Sequence, residues 1–339
     1  MKLFVTGGAG FIGSNFIRYM LEAHPDYTIV NFDKLTYAGN LDNLRDVEAS
    51  PRYRFVRGDI CDLPAVLAAL EEGTDVLVNF AAETHVDRSI EEAAPFVRTN
   101  VLGVQVLLDA ARARRVGRFV QISTDEVMGS LGPTGYFTEE SPLRPNSPYA
   151  ASKAAAELLV RAAHRTFGMD VLIVRAGNNY GPYQFPEKLI PLMITNAMAD
   201  LPLPVYGDGR HVRDWIYVED YCRALDLILH HGRAGEVYCV GARAERTNLE
   251  VVELILALLG KPRSLIRFVE DRPGHDRRYA IDPSKVEREF GWRPLETFES
   301  GLRKTIVWYQ ANGAWVERVR SGEYQQYYER MYGRRRVIG

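Results

Sequence analysis

The chain is poor in cysteine, has no surplus of either charge and contains no long apolar run. Its three cysteines, Cys61, Cys222 and Cys239, are far apart, with no CxxC pair and no Cys/His ligand spacing. That usage fits a reducing compartment, argues against structural zinc and reads each cysteine as a small core residue. No metal is expected. The 42 Lys and Arg nearly cancel the 44 Asp and Glu, for a formal net charge of -2. No broad basic surface for nucleic acid follows, and an anionic partner must be held by local groups. No apolar run could span a bilayer, and Lys2-Leu3-Phe4-Val5 opens a strand rather than a basic and then apolar leader. A cytoplasmic location without membrane association is therefore expected. The basic run Arg334-Arg335-Arg336 reads as a solvated terminus.

What is present is an alternation of short β-rich runs with helix-length segments, in a chain of 339 residues that can bury a full core. Residues 3–6, 28–32, 53–56, 76–80, 118–123 and 171–175 read as buried strands. Residues 11–23, 63–70, 95–114 and 148–167 read as helices long enough to cross between parallel strands. The fold expected is α/β, a doubly wound parallel Rossmann sheet. From Gly181 onwards Pro182, Pro186, Pro191, Pro202 and Pro204 break the pattern, as in a smaller, discontinuous substrate lobe. Residues 212–218 and 236–240 look like strands flanking a helix at 219–230, where the chain returns to the sheet. We expect a cofactor-binding domain over 1–180, with returning segments near 212–240 and 272–282, and a mainly substrate-binding domain over 181–339.

Thr6-Gly7-Gly8-Ala9-Gly10-Phe11-Ile12-Gly13 ends the first strand and opens the first helix, with glycines at 7, 10 and 13. This spacing gives a tight turn, close backbone approach to a pyrophosphate and a helix N-terminus that faces negative charge. Turn chemistry without a ligand is the plain alternative, and the strand, turn and helix context weighs against it. Asp33 ends the second strand, where a carboxylate accepts hydrogen bonds from an adenosine ribose and repels a 2′-phosphate. NAD is thereby favoured over NADP, although Lys34 beside it is a cation that such a phosphate could meet. Asp59-Ile60 and Ala81-Ala82 follow the third and fourth strands, where adenine and ribose would lie.

Tyr149 and Lys153 stand four apart on one face of a helix. The ammonium can lower the phenol below its usual pKa of about 10 and ready it to take a proton from a sugar hydroxyl. A lone YxxxK is usually a surface pair. Here Ser123-Thr124-Asp125 at a strand end and the loop Ser141-Pro142-Leu143-Arg144-Pro145-Asn146-Ser147-Pro148 accompany it. With the glycine turn, these residues resemble the extended short-chain dehydrogenase/reductase family. So does Asn178-Asn179-Tyr180-Gly181-Pro182, where the chain passes from sheet to lobe.

Thr124-Asp125-Glu126 supplies two adjacent carboxyl groups, which suit an elimination if one is ionised and the other protonated. Read alone, the pair is an ordinary helix cap. Three further segments accompany it: Ala81-Ala82-Glu83-Thr84-His85-Val86-Asp87-Arg88-Ser89, Asn179-Tyr180-Gly181-Pro182-Tyr183-Gln184-Phe185-Pro186-Glu187-Lys188-Leu189 and Asp271-Arg272-Pro273-Gly274-His275-Asp276-Arg277-Arg278-Tyr279. With them the chain resembles the dTDP-glucose 4,6-dehydratase family along nearly its whole length.

The resemblance implies an NAD-dependent lyase acting on dTDP-glucose: oxidation at C4, loss of water between C5 and C6, and hydride return to C6. It makes Tyr149 the base for C4 oxidation, with Lys153 beside it, Glu126 the base at C5, Asp125 the acid for the leaving hydroxyl, and Thr124 the holder of the C4 oxygen. It adds Phe11, Ile12, Thr36, Thr99 and Asn178 to the cofactor site. The chain departs from the family pattern with Thr84 for Ser, Met128 for Tyr and Ala176-Gly177 for Cys-Ser. Met128 removes a phenol near the carboxyl pair. Neighbours on a strand point to opposite faces, so both carboxyls reach a substrate only if the strand has turned by Asp125.

A diphosphate needs cations and amides, and Asn179, Lys188, Arg213 and Arg272 stand in loop or strand-end contexts. The resemblance assigns Asn179, Arg213, Asn248, Arg272 and His275 to diphosphate or sugar contacts and Pro204 and Tyr206 to the base. It also carries Thr84, His85, Lys188 and Leu189 to the substrate. Val97, Val101, Val104 and Leu108 line one helix, and Ala150, Ala154, Ala155 and Leu158 another. Packing on the sheet is the ordinary use of such stripes, and the resemblance implies that they also pair two subunits as a homodimer. A 4-epimerase or decarboxylase on the same scaffold would not need the acid at 125. A dehydratase of another nucleotide sugar and a catalytically silent dinucleotide sensor stay open.

Overall fold

Short β-branched runs followed by capped helices lay down the frame, in a computed structural model that describes residues 1–320, 328–329 and 336–338. Among the described residues the strands are β1 (Lys2–Thr6), β2 (Thr28–Asp33), β3 (Tyr53–Arg57), β4 (Val76–Asn79), β5 (Arg118–Thr124), β6 (Val171–Ala176), β7 (Asn178–Tyr180), β8 (Leu203–Tyr206), β9 (Val212–Tyr217), β10 (Val237–Val240), β11 (Glu245–Thr247) and β12 (Ile266–Val269). A fully parallel sheet takes the order β10-β6-β5-β4-β1-β2-β3. The order reverses between β1 and β4, and in such a sheet the ligand crevice opens there, at the strand C-terminal ends. One face packs on a core around Phe16, Met20, Val174 and Leu225, the other on a core around Leu77, Leu107, Phe119 and Val160. Burial on both faces explains why the inner strands read as largely apolar runs, while β3 at the edge has no buried residue. This is the doubly wound α/β arrangement expected.

The Pro148–Phe167 helix ends where its sequence says it should. Ser147 accepts a hydrogen bond from the Ala150 amide, Pro148 fills the first turn, and Gly168 closes the helix at φ 67. The helix expected over 95–114 is instead interrupted: Ala94–Val97 and Gly103–Ala113 are α-helical, with a π-turn, Arg98–Leu102, between them. The wide turn delivers Asn100 inward, where its amide bonds both backbone groups of Glu83 and the Ser152 hydroxyl. It also seats Gly103 against Ile60, where a Cβ would come within 2.6 Å of the side chain. The extra residue shifts the helix face, so Val104 and Leu108 are buried while Val97 is 54% exposed. On the neighbouring helix Ala150 and Ala154 are buried and Leu158 is 57% exposed.

The return of the chain also differs from expectation. Only β10 adds to the large sheet, and β9 is the middle strand of a separate sheet, β11-β9-β7. Gly177, its amide on the Val240 carbonyl, carries the chain out of β6, and β7 takes β9 as its partner. β8 and β12 pair in parallel. A third core, around Leu192, Trp215, Val252, Ile255 and Leu302, holds this lobe. Cys222 and Cys239 are buried, but Cys61 is partly exposed, its thiol donating to the Arg98 carbonyl at 3.3 Å. Arg334 and Arg335 lie outside the described residues, and Arg336 is exposed.

Candidate active site

The cleft begins at the glycine turn after β1. Gly7 sits at φ 68, and a Cβ there would lie 2.5 Å from the Ala81 amide nitrogen. A Cβ at Gly13 would lie 2.5 Å from the Gly7 carbonyl oxygen. Neither position tolerates a side chain, so the turn stays tight. The Phe11–Ala23 helix then presents its free amides to a cleft of about 310 Å³.

Every residue assigned above to the dinucleotide lines this cleft: the glycine-turn residues Gly7, Gly10, Phe11, Ile12 and Gly13, then Asp33, Lys34, Thr36, Asp59, Ile60, Ala81, Ala82, Thr99 and Asn178; the catalytic pair Tyr149 and Lys153, also expected to touch the cofactor, lines it too. Asp33 is buried and accepts from the Ala9 and Leu35 amides at 2.9 and 2.8 Å. Burial raises its pKa, against the pull of those two bonds. Lys34 is paired with Asp59 at 2.8 Å, which ties up the cation that a 2′-phosphate would seek. A glycine cradle under a helix N-terminus, with a carboxylate at ribose height, fits NAD.

At the other end, β5 stops at Thr124 and Asp125–Met128 forms a single 3-10 turn. Thr124 caps that turn, its hydroxyl accepting from the Glu126 amide at 3.3 Å. The strand has therefore turned where it must, and Asp125 and Glu126 line the cleft together with Thr124, Tyr149 and Lys153. The Tyr149 helix grips the same strand. Lys153 Nζ donates to the Ile122 carbonyl at 2.6 Å, and Glu157 accepts from the Ser123 hydroxyl at 2.6 Å and pairs with Arg175 at 2.8 Å. Met128 is buried, and its sulfur accepts from Arg175 Nη1 at 3.4 Å.

The electrostatics separate the two carboxyls. Burial, then the neighbouring Glu126 charge, pushes Asp125 well above the ordinary carboxylate range. Its Oδ2 is buried with no hydrogen-bond partner among the described residues. Burial raises Glu126 too, but Arg272, Arg213 and Lys188 face it and favour its charged form. The expectation that Lys153 lowers the Tyr149 phenol is not met: burial, then the charges of Glu126 and Asp125, push that phenol up, and only a hydrogen bond with Thr124 opposes them. Lys153 is itself lowered by burial to about 8 and donates to the Ile122 carbonyl.

Of the residues assigned to the substrate, Thr84, Thr124, Asn179 and Lys188 line the same cleft. Lys188 Nζ donates to the Thr84 carbonyl at 3.0 Å. His85 is buried, and burial, then Lys188, Arg88 and Arg272, hold it well below the usual histidine range. The others form an adjoining cluster. Asp87 accepts from the Tyr206 hydroxyl at 2.9 Å and from Arg272 at 3.3 Å. Arg213 donates to the Asp276 carbonyl and lies 4.2 Å over the Tyr279 ring. His275 bonds Asp271 and stacks on His211 at 3.6 Å. Asn248 opens the Asn248–Leu259 helix. Oδ1 of Asn178, Asn179 and Asn248, and Nε of Arg272, are buried without a partner among the described residues, as suits groups that meet a polar ligand.

Leu189 does not line the cleft beside Lys188; its side chain packs against the third core. β8 buries Leu203 and Val205 in that core, so Pro204 shares the opposite strand face with Tyr206. Two residues not singled out from the sequence belong with the site. Glu187 lines the cleft, held by the Tyr37 hydroxyl at 3.2 Å and Arg88 at 3.5 Å. Tyr279 donates to Asp276 at 2.6 Å beneath Arg213. An acid directly before Lys188 was a signal for the first; spacing carries none for the second.

A family model for GDP-mannose 4,6-dehydratases matches residues 4–305. A dTDP-glucose 4,6-dehydratase of Actinoplanes is 53% identical over 320 residues, covering 93% of this chain and 99% of that protein. One of Salmonella typhimurium is 49% identical over 358 residues, covering 98% and 99%. Among solved structures, a dTDP-glucose 4,6-dehydratase of Streptomyces venezuelae with NAD bound has a TM-score of 0.92 at 53% identity, covering 94% of this chain and 100% of its own. A UDP-glucose 4-epimerase of Thermus thermophilus, also with NAD, has a TM-score of 0.85 at 30% identity, covering 92% and 100%. With the glycine turn, the YxxxK pair and the Thr124-Asp125-Glu126 turn in place, the chain belongs to the dTDP-glucose 4,6-dehydratase family of the extended short-chain dehydrogenases/reductases.

Proposed function

We propose that the chain is an NAD-dependent hydro-lyase that converts dTDP-glucose into dTDP-4-keto-6-deoxyglucose and water. One observation carries this reading beyond the shared scaffold: buried Asp125, whose protonated form is favoured by burial and by the Glu126 charge, stands beside a Glu126 whose charged form three cations favour. Bound NAD, with its pyrophosphate on the glycine turn and its ribose at Asp33, supplies a hydride acceptor for C4 and a hydride donor for C6. Tyr149 takes the C4 hydroxyl proton as a phenolate, a form that Lys153 and the positive charge of a bound oxidised nicotinamide would favour against the burial that raises the phenol, while Thr124 holds that oxygen. Lys153, at about 8, is largely protonated at neutral pH and keeps positive charge near the phenol. The C4 ketone makes the C5 proton acidic, and Glu126 removes it. Asp125 gives its proton to the C6 hydroxyl, which leaves as water. Glu126 then returns a proton to C5 as C6 is reduced, and the proton that Tyr149 took makes good the one that Asp125 gave, so over the cycle the enzyme is unchanged and substrate and product differ only by water.

Residues 1–180 carry the cofactor in this reading and 181–339 mainly the nucleotide sugar. Asn179, Arg213, Asn248, Arg272 and His275 hold the diphosphate or sugar, Pro204 and Tyr206 the base, and Thr84, His85 and Lys188 the sugar side. A 4-epimerase has no use for the acid at 125. Exposed Val97, Leu102 and Leu158 support a homodimer formed across their helices, which gel filtration at micromolar concentration tests. No helix among the described residues is long and apolar enough to cross a membrane. Free cysteines support a cytoplasmic location. Incubation with dTDP-glucose and NAD in deuterated water should give a 4-keto-6-deoxy product with deuterium at C5 and no net NADH. Accumulating NADH or a C4 epimer would contradict the assignment.

A further inference from the structure

The Phe11–Ala23 helix that starts at the glycine turn ends, on the far side from the cleft, in a second polar cluster. His24 is its C-cap residue, and Asp226 and His230, four apart, share one face of the Val218–His231 helix. His24 Nε2 lies 2.9 Å from Asp226 Oδ1, and His230 Nδ1 lies 3.0 Å from the same oxygen. Each of the three groups has a second partner behind it or beside it. The Tyr27 hydroxyl is 2.6 Å from His230 Nε2, the Tyr19 hydroxyl donates to Asp226 Oδ2 at 3.3 Å, and the His24 ring stacks on Tyr27.

We propose that His24, Asp226 and His230 bind one divalent transition-metal ion, zinc by ligand type, which clamps the end of the cofactor-binding helix to the Val218–His231 helix. Two imidazoles and a carboxylate are a zinc donor set, and bonds of about 2.0–2.2 Å in a tetrahedron place donors roughly 3.3–3.5 Å apart. The two nitrogen-to-carboxylate separations need to spread by only a few tenths of an ångström, and all three donor atoms lie within 4.8 Å of one another. Side-chain exposures of 25%, 15% and 22% leave an open fourth position that water can fill. His230 Nδ1 also lies 2.8 Å from the Asp226 backbone carbonyl, a contact the metal would replace; with the metal on Nδ1, His230 carries its proton on Nε2 and donates it to the Tyr27 oxygen, the outer contact that fixes a ligand's tautomer. A partly buried carboxylate between two imidazoles also offsets the ion's charge.

A second cluster of the same composition, His211, Asp271 and His275, is the natural rival. Arg272, Arg213 and Arg277 all face His275, so that cluster suits an anion and repels a cation. The ligands at positions 24, 226 and 230 come from two helices some 200 residues apart, a spacing that no sequence pattern for zinc contains.

The test uses untagged, chelator-treated enzyme titrated with zinc by calorimetry, with thermal unfolding followed in parallel. One ion per chain should bind, raising the unfolding midpoint by a few degrees. His24→Gln and His230→Gln should each weaken binding by at least about tenfold and abolish the zinc-dependent rise. His211→Gln should keep both. Comparing the midpoint with and without zinc within each variant separates metal binding from loss of the hydrogen-bonded clasp. No stoichiometric binding, binding that survives the double substitution of His24 and His230, or binding lost in His211→Gln would overturn the proposal.

Discussion

At the cofactor end the cleft is shaped mainly by backbone: a turn with no room for a Cβ at Gly7 or Gly13, a helix N-terminus, and a carboxylate already bonded to two amides. At the sugar end it is shaped mainly by charge, with Lys188, Arg213 and Arg272 converging on Glu126 from three separate segments. Backbone shape is local and leaves a fixed spacing in the sequence. Converging charge is tertiary, and it sets which carboxyl is acid and which is base.

The largest effects should follow from removing that division of labour. Asp125→Asn and Glu126→Gln should each lower kcat by about 10²–10⁴ with little change in NAD retention. The pH profile of kcat should be bell-shaped. Glu126 acts as a base, so activity is lost as pH falls through its raised pKa; Asp125 acts as an acid, so activity is lost as pH rises through its own pKa, which burial and the Glu126 charge raise well above the ordinary carboxylate range. Steady-state rates between acid and alkaline pH check both limbs, and a flat profile would break the comparison.

Gly7→Ala attacks the other end. A Cβ at φ 68 and 2.5 Å from the Ala81 nitrogen costs on the order of 3 kcal/mol, or about 100-fold in NAD affinity. Equilibrium dialysis with NAD reads this directly. Arg272→Met should raise KM for dTDP-glucose by roughly 30-fold, about 2 kcal/mol for a largely buried cation. It should also move the acid limb of the pH profile upward, because Glu126 loses its strongest opposing charge. The smallest effect belongs to Asp59→Asn. Freeing Lys34 from its exposed pair should raise relative NADP affinity by up to about fivefold, as a surface pair of this kind is worth at most ~1 kcal/mol.

The inner strands of the large sheet were legible because they are short apolar runs buried on both faces, whereas the edge strand β3 has no buried residue. The break in the helix over 95–114 was not, since Asn100 reaching Glu83 and Gly103 against Ile60 are contacts that periodicity cannot contain. The glycine turn, Asp33 and the YxxxK pair were legible from spacing. Asp87 was not: its bonds to Tyr206 and Arg272 span 119 and 185 residues. The direction of the Tyr149 shift was misread because spacing shows the ammonium four residues away but not the burial and the two carboxyls, which act more strongly on the phenol.

The most direct test of the acid and base assignment is C5 hydrogen exchange with deuterated water, followed on dTDP-glucose in the two carboxyl variants with NAD present. Asp125→Asn should still exchange C5 while losing little or no water, because its base is intact. Glu126→Gln should oxidise C4 and exchange nothing. Exchange in Glu126→Gln, or its loss in Asp125→Asn alone, would contradict the assignment of Glu126 as base and Asp125 as acid.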